Sequence, residues 1–265
     1  MRNSSRSVLA LRDVANGLAA FHIWGRLGWH DIKQRYRRSV LGPLWLTLSA
    51  AIFIGAIGVL YSAFFRQETS EYLPFLAVGV IVWTLLSTSM IEACVVFVQA
   101  EQIMKQVKLP LTTHICRMLW RNVLVFAHNL IIVPVVILAA GKGLSWHVVL
   151  LPLSLLLLLW NCLWGALMLG IVCARYRDIP PIVGNLVQIA FFLSPIIWVP
   201  SILSHRTWVA DYNPVYHLVE LFRAPFLEAR IPVASFIVCL LTAFVGSLLC
   251  WALLARYRHR VPYWI

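Results

Sequence analysis

Long stretches free of Asp, Glu, Lys and Arg alternate along this chain with short basic intervals. Six such stretches reach 20 residues or more: 39–65, 72–91, 122–141, 143–174, 179–205 and 231–255. A helix rises 1.5 Å per residue, so about 20 apolar residues are needed to cross roughly 30 Å of hydrocarbon. Backbone groups in lipid must be bonded within their own segment, which favours helices. The ten-residue alternating segments of a membrane barrel are absent from the sequence. The pattern predicts an all-α integral membrane fold of six transmembrane helices, at about 41–65, 72–98, 122–141, 148–174, 181–203 and 231–255. Pro195 and Pro200 should kink the outer half of the fifth.

Two further elements lie outside the spans. Leu11, Val14, Leu18, Phe21, Gly25, Trp29, Ile32 and Tyr36 recur at intervals of three and four, one stripe of a helix, with Arg12, Arg26, Lys33, Arg35, Arg37 and Arg38 off it. Residues 1–38 therefore read as a cytoplasmic, basic, amphipathic interface segment, seated in the headgroup layer or packed on protein. Residues 39–265 form the six-helix transmembrane domain. Between its fifth and sixth spans, the apolar stretch around Val215 to Phe226 is too short to cross and predicts short re-entrant helices.

Composition narrows the choice of function. The chain is 61% hydrophobic and 12% charged, with a mean hydropathy of +0.83. Soluble domains are about 45–50% apolar and about 25% charged, so a soluble enzyme, a nucleic-acid-binding domain and a disordered chain are all excluded. The net charge of +12 follows membrane topology: alternate connecting segments carry 17 Lys and Arg against 5 on the other side. The basic side should be cytoplasmic, with both termini there, and no nucleic-acid partner is required.

Candidate chemistry is sparse. The six cysteines have no C-x-x-C spacing, no H-E-x-x-H occurs, and no metal site is indicated. Glu92 is the acid inside a span; it reads either as an ion site or as a residue paired near a helix end. Trp160 and Trp164 lie one turn apart on the fourth span, as channel-lining aromatics or as bundle packing. Gly141-Lys142 has Val136 where a phosphate-binding loop needs glycine. Any nucleotide energy must come from another polypeptide.

Several segments together resemble one family. They are Arg35-Tyr36-Arg37-Arg38-Ser39-Val40-Leu41-Gly42-Pro43-Leu44-Trp45, Ala100-Glu101-Gln102-Ile103-Met104-Lys105 through Lys108 to Pro110, Arg175-Tyr176-Arg177-Asp178-Ile179, Phe192-Leu193-Ser194-Pro195-Ile196, and Asn213-Pro214-Val215-Tyr216-His217-Leu218-Val219-Glu220-Leu221-Phe222-Arg223-Ala224-Pro225. The chain resembles the membrane subunit of bacterial polysaccharide exporters, the O-antigen and capsule branch of the ABC type-2 permeases. It departs from the usual pattern beside the coupling proline, where Leu109 and Leu111 replace an aromatic and an arginine.

The resemblance implies a homodimer in the bacterial inner membrane with two copies of an ATPase subunit that binds ATP and Mg, and no cofactor in this chain. The cargo would be a glycan on undecaprenyl diphosphate. Glu101, Gln102, Ile103, Met104, Lys105, Lys108 and Pro110 become the ATPase-coupling loop, and Tyr216, Glu220, Phe222 and Arg223 an external gate. Arg35, Arg37 and Arg38 lie where a lipid diphosphate would approach, and guanidinium forks suit phosphate oxygens. The same arginines also suit anchoring to anionic headgroups. A permease for teichoic acid, lipid or drug shares the scaffold; a secondary transporter using Glu92 and a membrane-embedded glycosyltransferase are the remaining alternatives.

Overall fold

A computed structural model describes residues 2–35, 37, 42, 44–200 and 208–265. The described residues are helical throughout their regular structure: α1 (Arg2–Ala19), α2 (Phe21–Arg35), α3 (Leu44–Phe64), α4 (Thr69–Ala93), α5 (Val96–Gln99), α6 (Glu101–Gln106), α7 (Leu111–Leu130), α8 (Ile132–Ala139), α9 (Leu151–Arg175), α10 (Ile179–Leu193), α11 (Trp208–Asp211), α12 (Pro214–Arg223) and α13 (Val233–Tyr257). Among the described residues, five helical segments are long and apolar enough to cross a membrane: α3, α4, α7 with α8, α9 with the 3-10 turn before it, and α13.

The fifth expected span is a regular helix over only part of its length. α10 has 15 residues, about 22 Å of helix, well short of the 23 expected. Ser194 leaves the helix at φ −88°, ψ 145°, because a residue before proline is driven out of the helical region, and Pro195 follows. The chain continues in non-helical form, and the Tyr72 hydroxyl donates to the Ile197 carbonyl at 2.6 Å. The third expected span starts earlier than 122, since α7 begins directly after Pro110.

α4 is the centre of the bundle. It contacts α3, α7, α8, α9, α10 and α12 and buries side chains all round its circumference. α3 buries only Ile54, Gly58 and Ser62, one stripe at intervals of four. A Cβ on Gly58 would come 2.2 Å from Leu73 Cδ1, so glycine brings α3 tightly against α4. Much of the rest of α3, including Leu48, Ile52, Val59 and Leu60, is exposed, as suits contact with lipid or another apolar chain.

Both termini sit at one end of the bundle. Asp13 of α1 and Arg258 after α13 pair at 3.3 Å, and the Arg175 guanidinium lies 5.7 Å from the Trp264 ring centre. This end carries Arg6, Arg12, Arg117, Arg121 and Arg258 and is called the basic end below. At the opposite end Lys142 meets Glu71 at 2.5 Å.

The terminal segment is two helices, with an interruption at Ala20. α1 packs on α7 and α13, and α2 on α7. The stripe that docks is not the large apolar one. Ala10, Asp13, Gly17, Gly28 and Ile32 are buried, whereas Leu11, Leu18, Phe21 and Trp29 are exposed. Close approach explains the choice: a Cβ on Gly17 would lie 2.4 Å from Thr112 Cβ, and one on Gly28 would lie 3.1 Å from the Arg117 carbonyl. Small residues make the closest contacts with protein, while Leu11, Leu18, Phe21 and Trp29 of the apolar stripe face outward.

Candidate functional site

At the basic end, α2, α4 and α7 enclose a charged cavity of 520 Å³. Asp31 and Arg35 are four residues apart on α2, as are Arg117 and Arg121 on α7, so each pair shares a helix face. Arg117 donates to both Asp31 oxygens, from Nε at 2.8 Å and from Nη2 at 2.5 Å. Arg121 donates to Glu92 at 2.6 Å and lies 3.5 Å from Asp31. Arg35 reaches Glu92 at 3.9 Å, the loosest contact, from a side chain that is half exposed. Three guanidinium groups thus face two carboxylates, leaving one positive charge in excess. Arg121 Nε and His114 Nε2 are buried without a hydrogen-bond partner, and both residues line the cavity.

Glu92 is therefore paired rather than solitary. Asp31, Arg117 and Arg121 were not singled out from sequence; the available signal was the four-residue spacing on α2 and α7. Of the expected diphosphate contacts, Arg35 lines this cavity, Arg37 is exposed beyond the end of α2, and Arg38 lies outside the described residues.

Arg35 and Glu92 also line a second cavity, a groove of 640 Å³ running between α3, α4, α7 and α10. Its wall is mostly apolar, with aliphatic residues such as Val80, Ile81 and Val187 beside Phe53, Trp83, Phe126 and Phe191, and it carries polar side chains at Ser49, Ser87, Asn122, Asn129 and Gln188. Trp83 and Phe191 face each other with ring centres 5.7 Å apart. Hydroxyl and amide groups suit sugar hydroxyls, and ring faces offer apolar contact without a fixed register.

Trp160 and Trp164, which read either as channel-lining aromatics or as bundle packing, do not border this groove. Trp160 Nε1 donates to Ser247 Oγ of α13 at 2.9 Å. The ring of Trp164 fills the space above Gly246, where a Cβ would lie 2.2 Å from it. The missing side chain at Gly246 gives the indole its seat, so these rings join α9 to α13.

The coupling segment is held from three directions. α6 is short, with no buried residue; Gln102 and Lys105 are exposed, and Ile103 and Met104 are half-buried. Lys105 pairs with Glu101 one turn back, and that hydrogen bond holds the Glu101 carboxyl below its ordinary range. Asp13 of α1 caps α7, accepting from Leu111 N at 3.2 Å, Thr112 N at 3.1 Å and Thr112 Oγ1 at 3.0 Å. A cleft of 520 Å³ joins Met104 and Lys108 of this segment to Arg6 of α1 and to Arg258, His259 and Tyr263. Asp13 escaped sequence reading because its partners lie about a hundred residues away.

At the other end of α4, the residues expected to form a gate belong to α12. Arg223 is 2% exposed. It donates to the Pro195 carbonyl at 3.0 Å and the Phe75 carbonyl at 3.4 Å, and its guanidinium stacks 3.6 Å above the Phe75 ring. A Cβ on Gly79 would sit 2.6 Å from Arg223 Nη2, so this glycine makes room for the guanidinium. Glu220 is buried and bonded to Arg230. Phe222 packs edge-on against Phe126 at 5.7 Å, and Tyr216 against His217 at 5.3 Å. The Asn213 side chain caps α12 and donates to Ser194 Oγ at 2.9 Å, tying its start to the end of α10.

Comparison with known proteins agrees with this architecture. The ABC-2 type transporter family matches residues 24–227, which excludes α1 and α13 but includes the charged cavity, the groove and α12. The O-antigen export system permease protein RfbA of Myxococcus xanthus is 28% identical over 233 residues, covering 87% of this chain and 89% of the relative. A protein of the same name from Klebsiella pneumoniae is 19% identical over 239 residues, covering 87% and 90%. With most of its length inside that match and its apolar helices arranged around α4, the chain belongs to the ABC-2 type transporter membrane family.

Proposed function

We propose that this chain is the transmembrane subunit of an ATP-driven exporter that moves an O-antigen-type polysaccharide, carried on undecaprenyl diphosphate, across the bacterial inner membrane. Two copies work with two copies of a separate ATPase subunit. Each chain crosses six times with both termini cytoplasmic, α10 leading the fifth crossing, and α12 re-entering from the external side. The relatives' printed names support the cargo. The absence of a phosphate-binding loop from the sequence supports a separate motor.

One observation carries the reading: Arg35 and Glu92 border both the charged cavity and the groove. A lipid diphosphate held by Arg35, Arg37 and Arg38 would present its glycan to the polar and aromatic side chains of the groove's wall. The weak Arg35–Glu92 contact leaves that guanidinium free to turn to phosphate. ATPase closure would press on Glu101 through Pro110, and the cap from Asp13 carries the push to α1 and α7 together. Such coupling requires that the two ATPase states bind this segment differently.

Replacing Arg35, Arg37 and Arg38 with Gln tests the headgroup role. Each charge-assisted bond to phosphate contributes about 1.5–3 kcal/mol, so export should fall at least tenfold while membrane abundance and dimerisation stay unchanged. Unchanged export overturns the assignment of these arginines.

A further inference from the structure

The face of α4 turned away from the groove borders a third cavity, of 460 Å³, enclosed with α9, α12 and α13. Its deep wall is Leu86 and Met90 of α4, Cys162 of α9 and Leu218 of α12. Its polar side chains already have hydrogen-bond partners within the protein. Asn161 donates to the Leu157 and Cys239 carbonyls and accepts from Trp164 and Thr242, while Ser89 accepts from Asn122. A cavity whose polar groups are satisfied does not hold water and accepts apolar guests. On the α13 side it is bordered by Leu241, Val245 and Leu249, each more than half exposed on the outer surface of that helix. In a bilayer that surface meets hydrocarbon, so the molecules at the mouth are lipid chains.

We propose that this cavity is a binding site for one acyl chain of a membrane phospholipid, inserted between α9 and α13. Phospholipid is the bulk component at that depth and fills the site by mass action. The volume falls within the range of small-molecule sites. The chain rests on Pro214, Val215 and Leu218 of α12, so it props the first turns of the helix whose other end holds Arg223. The site is independent of the cargo reading and stands if the exported molecule proves to be another.

Gly165 gives a clean test. It lines the cavity, and a Cβ built on it meets nothing within 4 Å, so the side chain of Gly165→Leu starts in open space and occupies part of the cavity. The full chain is reconstituted in phosphatidylcholine bearing a diazirine on one acyl chain, irradiated, and mapped by mass spectrometry. Labels are expected on Leu86, Met90 or Leu218, and at least a tenfold loss of them in Gly165→Leu. Labelling of Leu240 and Leu248, exposed on α13, should persist in both proteins. Labels confined to the outer surface of α13, or deep labels unchanged in Gly165→Leu, overturn the proposal. Should that variant fail to insert, Val245→Phe at the mouth gives the same readout.

Discussion

Replacing Asp13 with Ala probes the joint between the terminal helices and the coupling segment. The carboxylate is 4% exposed and accepts three hydrogen bonds from the first residues of α7. Bonds to a charged acceptor contribute about 1.5–3 kcal/mol each while the donors stay buried. Undocking of α1 returns those donors to water, so about 1 kcal/mol per bond, close to 3 in all, is the fair figure for the docked state. The pair with Arg258 adds little because that side chain is a third exposed. A change of about 3 kcal/mol moves the docked-to-undocked ratio roughly 150-fold. Hydrogen exchange in nanodiscs should show that loss of protection at Ser7–Val14 and at Leu111–Thr113. Asp13→Asn should lose about half the free energy, since the amide keeps a carbonyl acceptor but turns a donor towards one N–H. Protection within threefold of the parent at both segments would refute the joint.

Gly246→Ala drives a methyl group into the Trp164 ring, and overpacking costs about 1–3 kcal/mol. Its thermal midpoint should drop, while Gly55→Ala, where a Cβ meets nothing within 4 Å, should not lower it. Gly184→Trp places an indole in the groove from a position with open space around it; export should fall at least tenfold with membrane abundance unchanged. Because Lys105 holds the Glu101 carboxyl below its ordinary value of 4.5, the pair's contribution is complete above that value and is lost as pH falls through the lowered one. A carbon-13 titration of Glu101 should find a midpoint below 4.5, returning towards it in Lys105→Met.

Much of the architecture was legible because lipid imposes a simple rule on charge. Runs free of Asp, Glu, Lys and Arg located the long helices to within a few residues at most ends. The end of α10 was missed because Ser194 and Pro195 are as uncharged as the helix before them, so a charge-based boundary runs past a backbone one. Periodicity showed that α1 and α2 have an apolar face but not what that face meets; Gly17 and Gly28 dock because closeness, not side-chain size, decides the contact with α7. The charge network was the least legible feature. Asp31, Glu92, Arg117 and Arg121 come from three separate helices, and nothing local links them. Trp160 and Trp164 illustrate the opposite difficulty: an aromatic pair on one face looks alike whether it lines a path or fills a gap beside a glycine.

The most direct test of the account is reconstitution. Proteoliposomes holding this chain and its ATPase subunit are given a fluorescent glycan on undecaprenyl diphosphate from the side that bears the nucleotide-binding subunit, and its arrival on the far side is followed by enzymatic release of the label. The account predicts transfer that requires ATP, both subunits and a hydrolysis-competent ATPase. Equal transfer by this chain alone, or with a hydrolysis-dead partner, would contradict it.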